Sequence, residues 1–448
     1  MSVTVHHQQR YTNGYLIRMA SPLILSFLLE QLIGMMDVAF LGRVGEVELG
    51  AAAPANVAFL TLLMFGVGYT MAVQSYMSRR NGEKAYEMIG ASFRTGSLFL
   101  LVIAFTLIGL TAWLSPLFFS AVCESANIAY AADQYIFWRV MGLPFAYLCN
   151  MYRAFYVATL KPNVLSASSL VMVLTNGLLN YMLIFGWGPV PALGIAGAAI
   201  ASTLSEVVCL LFFALYAWKK TDHRRYTLYS GAGITRKLNR DLFRLGRWLM
   251  IQEAFAFAAW LFFFLAVEHL GELSLAVSNI VRQVASMLFL VIHGFGSACG
   301  AVASNLLGED RADEVPDICK RGIFLCFAFM IPLVLPAALF PSAVLMIFTG
   351  IEEVLAASNP TFYVMLGSYA VAIPSMFYLY LLGGIGMTKE TSNASLIAVV
   401  GYLAYIWFIT SVSQNVAVVW TADYVYYGLF GLVAAYYYLK GDWRTRKI

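Results

Sequence analysis

The chain has 448 residues, of which 61% are hydrophobic and 12% charged, with a formal net charge of +4. Soluble domains carry about 25% charged residues, so this composition excludes a soluble globular fold and leaves no stretch for a polar catalytic domain. The small positive excess is absorbed by the loop cations described below, so nucleic acid is not expected as a partner.

The N-terminal MSVTVHHQQRYTNG lacks a short apolar region followed by a small-residue cleavage site, so no cleavable signal is expected; His6 and His7 read as exposed and idle. The first run long enough to cross a bilayer as a helix extends from Tyr15 to Leu41. It carries two acids in its apolar body, Glu30 and Asp37, seven residues apart and so on roughly one helical face. A carboxylate in hydrocarbon costs at least about 2.5–3.5 kcal/mol on insertion scales, which makes each acid a functional-site candidate.

Twelve spans follow from the hydrophobic runs, near 15–41, 51–77, 92–119, 128–158, 163–186, 194–218, 243–269, 276–306, 317–340, 360–386, 392–414 and 419–440. The fourth is the least clean: Asp133, Arg139 and several aromatics place its first turns at the membrane interface. Pro22, Pro144, Pro332, Pro336 and Pro374 fall within or near spans, where proline permits bends. Cys123, Cys149, Cys209, Cys299, Cys319 and Cys326 are scattered singly, mostly inside spans, and read as small hydrophobes without metal or redox work.

The loops alternate in charge. Arg79, Arg80 and Lys84 lie between spans 2 and 3, and Lys161 lies between spans 4 and 5. The linker between spans 6 and 7 holds Lys219, Lys220, Arg224, Arg225, Arg236, Lys237 and Arg240. Arg311, Lys320 and Arg321 follow span 8, Lys389 follows span 10, and Arg444, Arg446 and Lys447 close the chain. The opposite loops hold Glu124, Glu268, Glu272, Glu352 and Glu353, with Arg43 as their loop cation. The positive-inside rule then predicts both termini and the linker in the cytoplasm, and an even number of spans agrees with termini on one side. The sequon Asn393-Ala394-Ser395 falls on that side and reads as unused.

The linker divides the chain into a lobe at 1–218, a cytoplasmic linker at 219–242 and a lobe at 243–448. The halves resemble each other. VGEVELGAAA (Val44–Ala53) faces LGELSLAVSN (Leu270–Asn279), and SRRNGEKAYE (Ser78–Glu87) faces SNLLGEDRAD (Ser304–Asp313). One constant, gap-free offset aligns Gly45 with Gly271, Glu46 with Glu272, Leu49 with Leu275, Ser78 with Ser304, Gly82 with Gly308 and Glu83 with Glu309. ATLKP (Ala158–Pro162) likewise has a counterpart in GMTKE (Gly386–Glu390). Internal repeats in polytopic proteins are typical of transporters that bind substrate between the repeats. Both halves enter from the same side, so the repeat is parallel, about an axis along the membrane normal.

These residues carry a resemblance to the multidrug and toxic compound extrusion (MATE) transporters. It rests on Pro22, MMDVAFLGRVGEVELGAAAPAN with Asp37, the GVG at Gly66–Gly68, the turn at Asn81-Gly82 and TNGLLNYMLIFGWGPVPALGIAGAAIAS (Thr175–Ser202). In the second half it rests on Gly246, LGELSLAVSNI and HGFGSACGAVASNLLGE (His293–Glu309). The resemblance implies an all-α integral membrane protein whose twelve transmembrane helices form two six-helix lobes, V-shaped around a central cavity. It also implies export of bulky, often cationic organic molecules against inward flow of Na⁺ or protons, and a multi-pass protein of a bacterial cytoplasmic (inner) membrane. The expected partners are a small organic substrate and membrane lipid, the expected state is a monomer, and no cofactor is expected beyond the coupling ion.

Asp37 matches the family's acid in the first span. Burial disfavours the charged form of a carboxylate, which suits it to binding and releasing a proton; alternatively it coordinates Na⁺ with neighbouring oxygens. Asn176 and Asn180 match two family positions four residues apart on the fifth span. The second of these is commonly an aspartate in the family. Asparagine there leaves one carboxylate, which favours a proton over Na⁺. Ser202 stands where the family often has a threonine. Glu30 is a weaker second protonatable site, paired by the repeat with Ala256.

In the second lobe Phe263 stands opposite Asp37, and the tenth span has no acid. The candidates there are Glu253 beside Gln252, with Arg282 and His293 on the eighth span. His293 is expected to pack; Arg282 is expected to pair with Glu253 or Glu268, or to snorkel. Arg153 and Asn150 are expected as a hydrogen-bonded pair in the first lobe. Met35, Met36, Tyr69 and Phe257 are candidate cavity residues for flat cations. A lipid-precursor flippase would show extra spans and a strongly cationic cavity, a membrane enzyme a HExxH, GxSxG or paired aspartates, and a channel a filter; none of these is expected here.

Overall fold

In lipid, every backbone polar group of a spanning segment must be satisfied within that segment, so apolar runs of this length become helices. The computed structural model describes residues 11–123, 125–230 and 235–444. His6, His7, Glu124, Arg446 and Lys447 lie outside the described residues.

The first lobe contains α1 (Asn13–Leu41), α2 (Glu46–Gly82), α3 (Tyr86–Val122), α4 (Ala126–Val140), α5 (Leu143–Ala158), α6 (Asn163–Phe185) and α7 (Gly194–Lys220). The second contains α8 (Arg236–Glu268), α9 (Glu272–Gly308), α10 (Val315–Leu339), the short α11 (Pro341–Leu345), α12 (Glu352–Gly384), α13 (Thr388–Val412), the short α14 (Val416–Val419) and α15 (Ala422–Lys440). Eleven stretches among the described residues are long and apolar enough to span a membrane; the last joins α14 to α15 across the turn at Trp420-Thr421. The twelfth is the fourth span, which breaks into α4 and α5 at Met141-Gly142. Pro144 starts α5, and a Cβ on Gly142 would lie 2.6 Å from Glu206 Oε2. A larger residue at Gly142 would press on the ends of the Glu206, Thr203 and Arg139 side chains.

The repeat is visible in the turns. Lys84 and Asp310, related by the offset of the repeat, both adopt left-handed backbone, at φ 59° and 58°; so do Leu160 and Gly386, at 59° and 85°. The axis of the repeat passes between Gly82 and Gly308. A Cβ on Gly82 would lie 2.0 Å from the Asn305 carbonyl oxygen and 3.0 Å from Gly308 Cα; one on Gly308 would lie 2.2 Å from the Arg79 carbonyl oxygen.

Around this contact the lobes are laced together. Ser304 Oγ donates to the Ser75 carbonyl at 2.9 Å, and Asn81 Nδ2 donates to Asn305 Oδ1 at 2.6 Å. Ala158 and Gly384, another pair at the same offset, are the last residues of α5 and α12. Their carbonyls have no donor within their own helix. Each is served from the opposite lobe: Asn305 Nδ2 donates to Ala158 O at 3.1 Å, and Ser75 Oγ to Gly384 O at 2.6 Å.

The segment between the lobes is narrower than the expected 219–242: helix extends to Lys220 and resumes at Arg236. Its residues up to Ser230 are folded onto the first lobe. Tyr226 and Leu228 are buried, Arg94 donates to the carbonyls of Thr227 and Ser230, and the Tyr229 and Tyr152 hydroxyls meet at 3.0 Å. Lys320 and Arg321, expected in a loop, belong to α10.

Candidate functional site

Three helices bring four polar side chains together inside the first lobe. Asp37 comes from the last turns of α1, Asn176 and Asn180 from one face of α6, and Ser202 from α7; none is more than 5% exposed. They form a closed ring. Asn180 Nδ2 donates to Asp37 Oδ1 at 2.6 Å and to Asn176 Oδ1 at 3.0 Å. Asn176 Nδ2 donates to Ser202 Oγ at 3.1 Å, and Ser202 Oγ donates to Asp37 Oδ2 at 3.1 Å. Asn180 Oδ1 is buried with no hydrogen-bond partner among the described residues. Buried acceptors are rarely left alone. The ring thus presents a carboxylate, two amide oxygens and a hydroxyl, an all-oxygen set that suits a hard monovalent cation, with one acceptor unspent.

Arg139 and Glu206 border the ring. Arg139 Nη2 lies 2.7 Å from Glu206 Oε1, and its guanidinium stacks 3.7 Å from the Phe59 ring centroid. Both charges sit close enough to interact with Asp37 and with buried Tyr135, whose hydroxyl donates to Asn56 Oδ1 at 3.0 Å. Arg139, in the last turn of α4, is thus paired inside the lobe. The readable signal was Glu206, an acid within the apolar run of α7 that is absent from the candidates drawn from the sequence.

Glu30 is held apart from the ring. Its Oε1 accepts from Arg153, from Ser26 at 3.0 Å and from Ser169 at 3.0 Å. Arg153 thus pairs with Glu30, and not with Asn150 as expected. The ion pair joins α1 to α5.

The second-lobe candidates do not converge on one centre. His293 packs edge-on against Phe27 of α1, with centroids 4.4 Å apart, and its Nδ1 meets the Tyr380 hydroxyl at 2.6 Å. Gln252 is buried with its Oε1 unpartnered among the described residues. Glu253 has no hydrogen-bond or ion-pair partner among them, and neighbours Tyr380 and Tyr426. Arg282 pairs with neither Glu253 nor Glu268: its Nη1 lies 3.6 Å from Asp423 Oδ2, on α15. Asp423, like Glu206, is an acid inside an apolar span that the sequence candidates omit.

The candidate cavity residues have different surroundings. Met35 is exposed, Met36 packs on α6 at Gly177, and Phe257 packs against Trp260. Tyr69 is fully buried between the lobes, its ring beside Phe99 and so close to Gly246 that a Cβ there would lie 2.4 Å away.

The MatE family model matches residues 22–182 and 249–412, one segment in each lobe. The chain is 26% identical over 342 residues to a probable multidrug resistance protein NorM of Deinococcus radiodurans, across 75% of this chain and 74% of that protein. It is 25% identical over 407 residues to multidrug and toxin extrusion protein 2 of Mus musculus, across 88% of this chain and 67% of that protein. Among solved structures it is similar to a MOP superfamily transporter from Pyrococcus furiosus, with a TM-score of 0.85 at 17% identity over 95% of both chains. It is also similar to a multidrug resistance MATE family transporter in an outward-facing conformation, with a TM-score of 0.84 at 17% identity over 95% of this chain and 94% of that one. The two-lobe, V-shaped architecture of these transporters is the fold of this chain.

Proposed function

This chain belongs to the MatE family, and from that premise we propose that it is a cation-coupled antiporter exporting small, often cationic organic compounds by alternating access. The observation that carries the proposal is the closed ring around Asp37. A carboxylate inside a membrane-spanning lobe is costly, and one without a cationic partner is a functional-site candidate. Here it is held by neutral donors alone, while the nearby cation, Arg139, is already committed to Glu206.

The coupling ion in this reading is a proton. One carboxylate is enough to carry it, and Asn180 and Ser202 can trade donor and acceptor roles as Asp37 gains or loses the proton. The buried, unspent Asn180 Oδ1 supports a second reading, in which Na⁺ is held by Asp37, Asn176, Asn180 and Ser202.

The lobes meet at the Gly82–Gly308 end. Its basic loops favour the cytoplasm by the positive-inside rule, so we read this arrangement as outward-facing, in a cytoplasmic membrane with both termini inside. Export then requires the interlobe bonds of Ser75, Asn81, Ser304 and Asn305 to break and reform. Glu253, unpaired on the second lobe, and the aromatic and methionine side chains Met35, Met36 and Phe257 are the groups we assign to a flat organic cation.

The deciding experiment is transport of a fluorescent cationic dye by purified protein in proteoliposomes, under an imposed pH gradient or an imposed Na⁺ gradient. Dye movement driven by the pH gradient and abolished by Asp37→Asn is the expected result. Movement driven by Na⁺ alone selects the second ion. Gradient-driven movement that survives Asp37→Asn overturns the assignment of the ring.

A further inference from the structure

The constant offset between the halves carries the first-lobe ring onto a definite place in the second lobe. Asp37 maps to Phe263, Asn176 to Tyr402, Asn180 to Ile406 and Asn56 to Arg282. Three of these meet in the folded chain. The Phe263 and Tyr402 rings stack with centroids 6.4 Å apart, and Phe263 stands edge-on to Trp420 at 5.4 Å. Trp420 and Phe263 are fully buried, and Trp420 is fixed by its Nε1–H, which donates to Ser278 Oγ at 3.0 Å. The place that holds oxygens in the first lobe is walled by aromatic faces in the second.

A cation occupies it. The Arg282 guanidinium carbon lies 4.3 Å from the Trp420 ring centroid and 4.8 Å from that of Phe263. Asp423 supplies the counter-charge at 3.6 Å. Arg282 Nε and Nη2 are buried without an acceptor among the described residues, so ring faces and one carboxylate hold this group with few hydrogen bonds. A guanidinium is the side-chain cation best fitted to that: planar, weakly hydrated and attracted to aromatic faces.

We propose that the second lobe contains a cation-binding cage, formed by Phe263, Tyr402, Trp420 and Asp423, and that the chain fills it permanently with its own Arg282. The ligand class of the cage is a planar organic cation of the guanidinium type. The tethered guanidinium stands where an exchangeable ion would otherwise be held, neutralises Asp423 throughout the cycle, and leaves the Asp37 ring as the site that exchanges its cation. This rests on the reading of the Asp37 ring as the coupling site, although the existence of the cage does not.

The test vacates the cage and offers a replacement. Arg282→Ala leaves Asp423 unpaired among aromatic rings, and gradient-driven dye transport is expected to fall about tenfold, with millimolar guanidinium chloride restoring most of it by occupying the cage. The same guanidinium concentration should raise the melting temperature of detergent-solubilised Arg282→Ala by roughly 2–4 °C. It should leave wild type and Arg282→Ala/Asp423→Asn unmoved. Restoration together with the selective thermal shift supports the cage. Folded Arg282→Ala that guanidinium neither restores nor stabilises overturns it, as does an equal shift in the double variant.

Should Arg282→Ala fail to fold, Arg282→Lys keeps the charge without the planar group. Guanidinium should then have no effect on it, and wild type should exchange one coupling cation per dye molecule in a reversal-potential measurement. A ratio of two overturns the proposal. Asp37→Asn is assayed beside these variants. If transport survives it, the coupling reading fails, while the thermal shift of Arg282→Ala still judges the cage.

Discussion

In the first lobe, Asp37, Asn176, Asn180 and Ser202 turn their polar atoms toward one another and close a hydrogen-bonded ring. In the second, the repeat positions carry Phe263, Tyr402 and Ile406, and a guanidinium lies against the rings. Yet the turns of the two lobes are alike to the backbone angle at Lys84 and Asp310, and the lobes meet glycine to glycine on the axis between them. The repeat has been kept where backbones touch and lost where side chains fill a lobe. The physical reason is latitude. At Gly82 and Gly308 there is no room for a Cβ, so neither position can drift. Inside a lobe, any set of side chains that fills the space and satisfies its own polar groups will fold.

The contrast breaks most sharply at Asp37. Asp37→Asn should reduce gradient-driven dye transport to the level of protein-free liposomes, whereas Phe263→Leu at the matching place should leave measurable coupled transport. Equal loss in the two variants would erase the distinction between the lobes.

The next largest effect belongs to the ion pair behind the ring. Glu206→Gln leaves Arg139 buried without its carboxylate, at a cost of about 3–5 kcal/mol for a broken buried pair. A thermal melt in detergent should show Glu206→Gln well below Asp423→Asn, because Arg282 keeps its two aromatic faces when Asp423 is neutralised.

Gly82→Ala forces a methyl group into the contact between lobes and should destabilise by about 1–3 kcal/mol, the range for overpacking. Gly109→Ala, inside α3 where a Cβ meets nothing within 4 Å, should not destabilise and should stabilise by up to about 1 kcal/mol in the same melt. Transport by Gly82→Ala should fall with its stability if the close approach holds the sealed state.

The smallest change sharpens the comparison within the ring. Asn180→Asp supplies a second carboxylate beside Asp37, and the apparent affinity for Na⁺ should rise about tenfold, equivalent to roughly 1.4 kcal/mol. Dye transport titrated with Na⁺ would read this directly. An unchanged Na⁺ dependence would argue that the ring does not hold the metal ion.

The span pattern, the constant offset between the halves and the candidacy of Asp37 are legible in the sequence because each depends on local properties of the chain. Apolar length sets a span, loop cations set the expected sidedness, and a lone acid in an apolar run is visible wherever it falls. The fourth span reads as one unit from 128 to 158 with an unclean start at Asp133 and Arg139; that it breaks into two helices at Met141-Gly142 appears only in the fold. Pairings are the weak point. Proximity in sequence matches Arg153 with Asn150 on its own helix, but its partner is Glu30 on α1. It matches Arg282 with the nearby acids Glu253 and Glu268, but its partner, Asp423, lies on the last helix of the lobe.

By itself, then, the sequence determined that this chain is a helical membrane protein built from two parallel copies of one unit, with an acid buried in the first. Those features follow from the bilayer, which demands self-satisfied apolar helices and penalises a stray carboxylate. Only the tertiary structure decided which charges are spent on one another and which remain open. It tied Glu30 to Arg153 and Glu206 to Arg139, gave Asp37 neutral partners, and laid Arg282 among aromatic rings. Charge pairing depends on which faces of distant helices come to lie a few ångströms apart. Helix periodicity fixes the faces of each helix, but the packing of whole lobes chooses their neighbours.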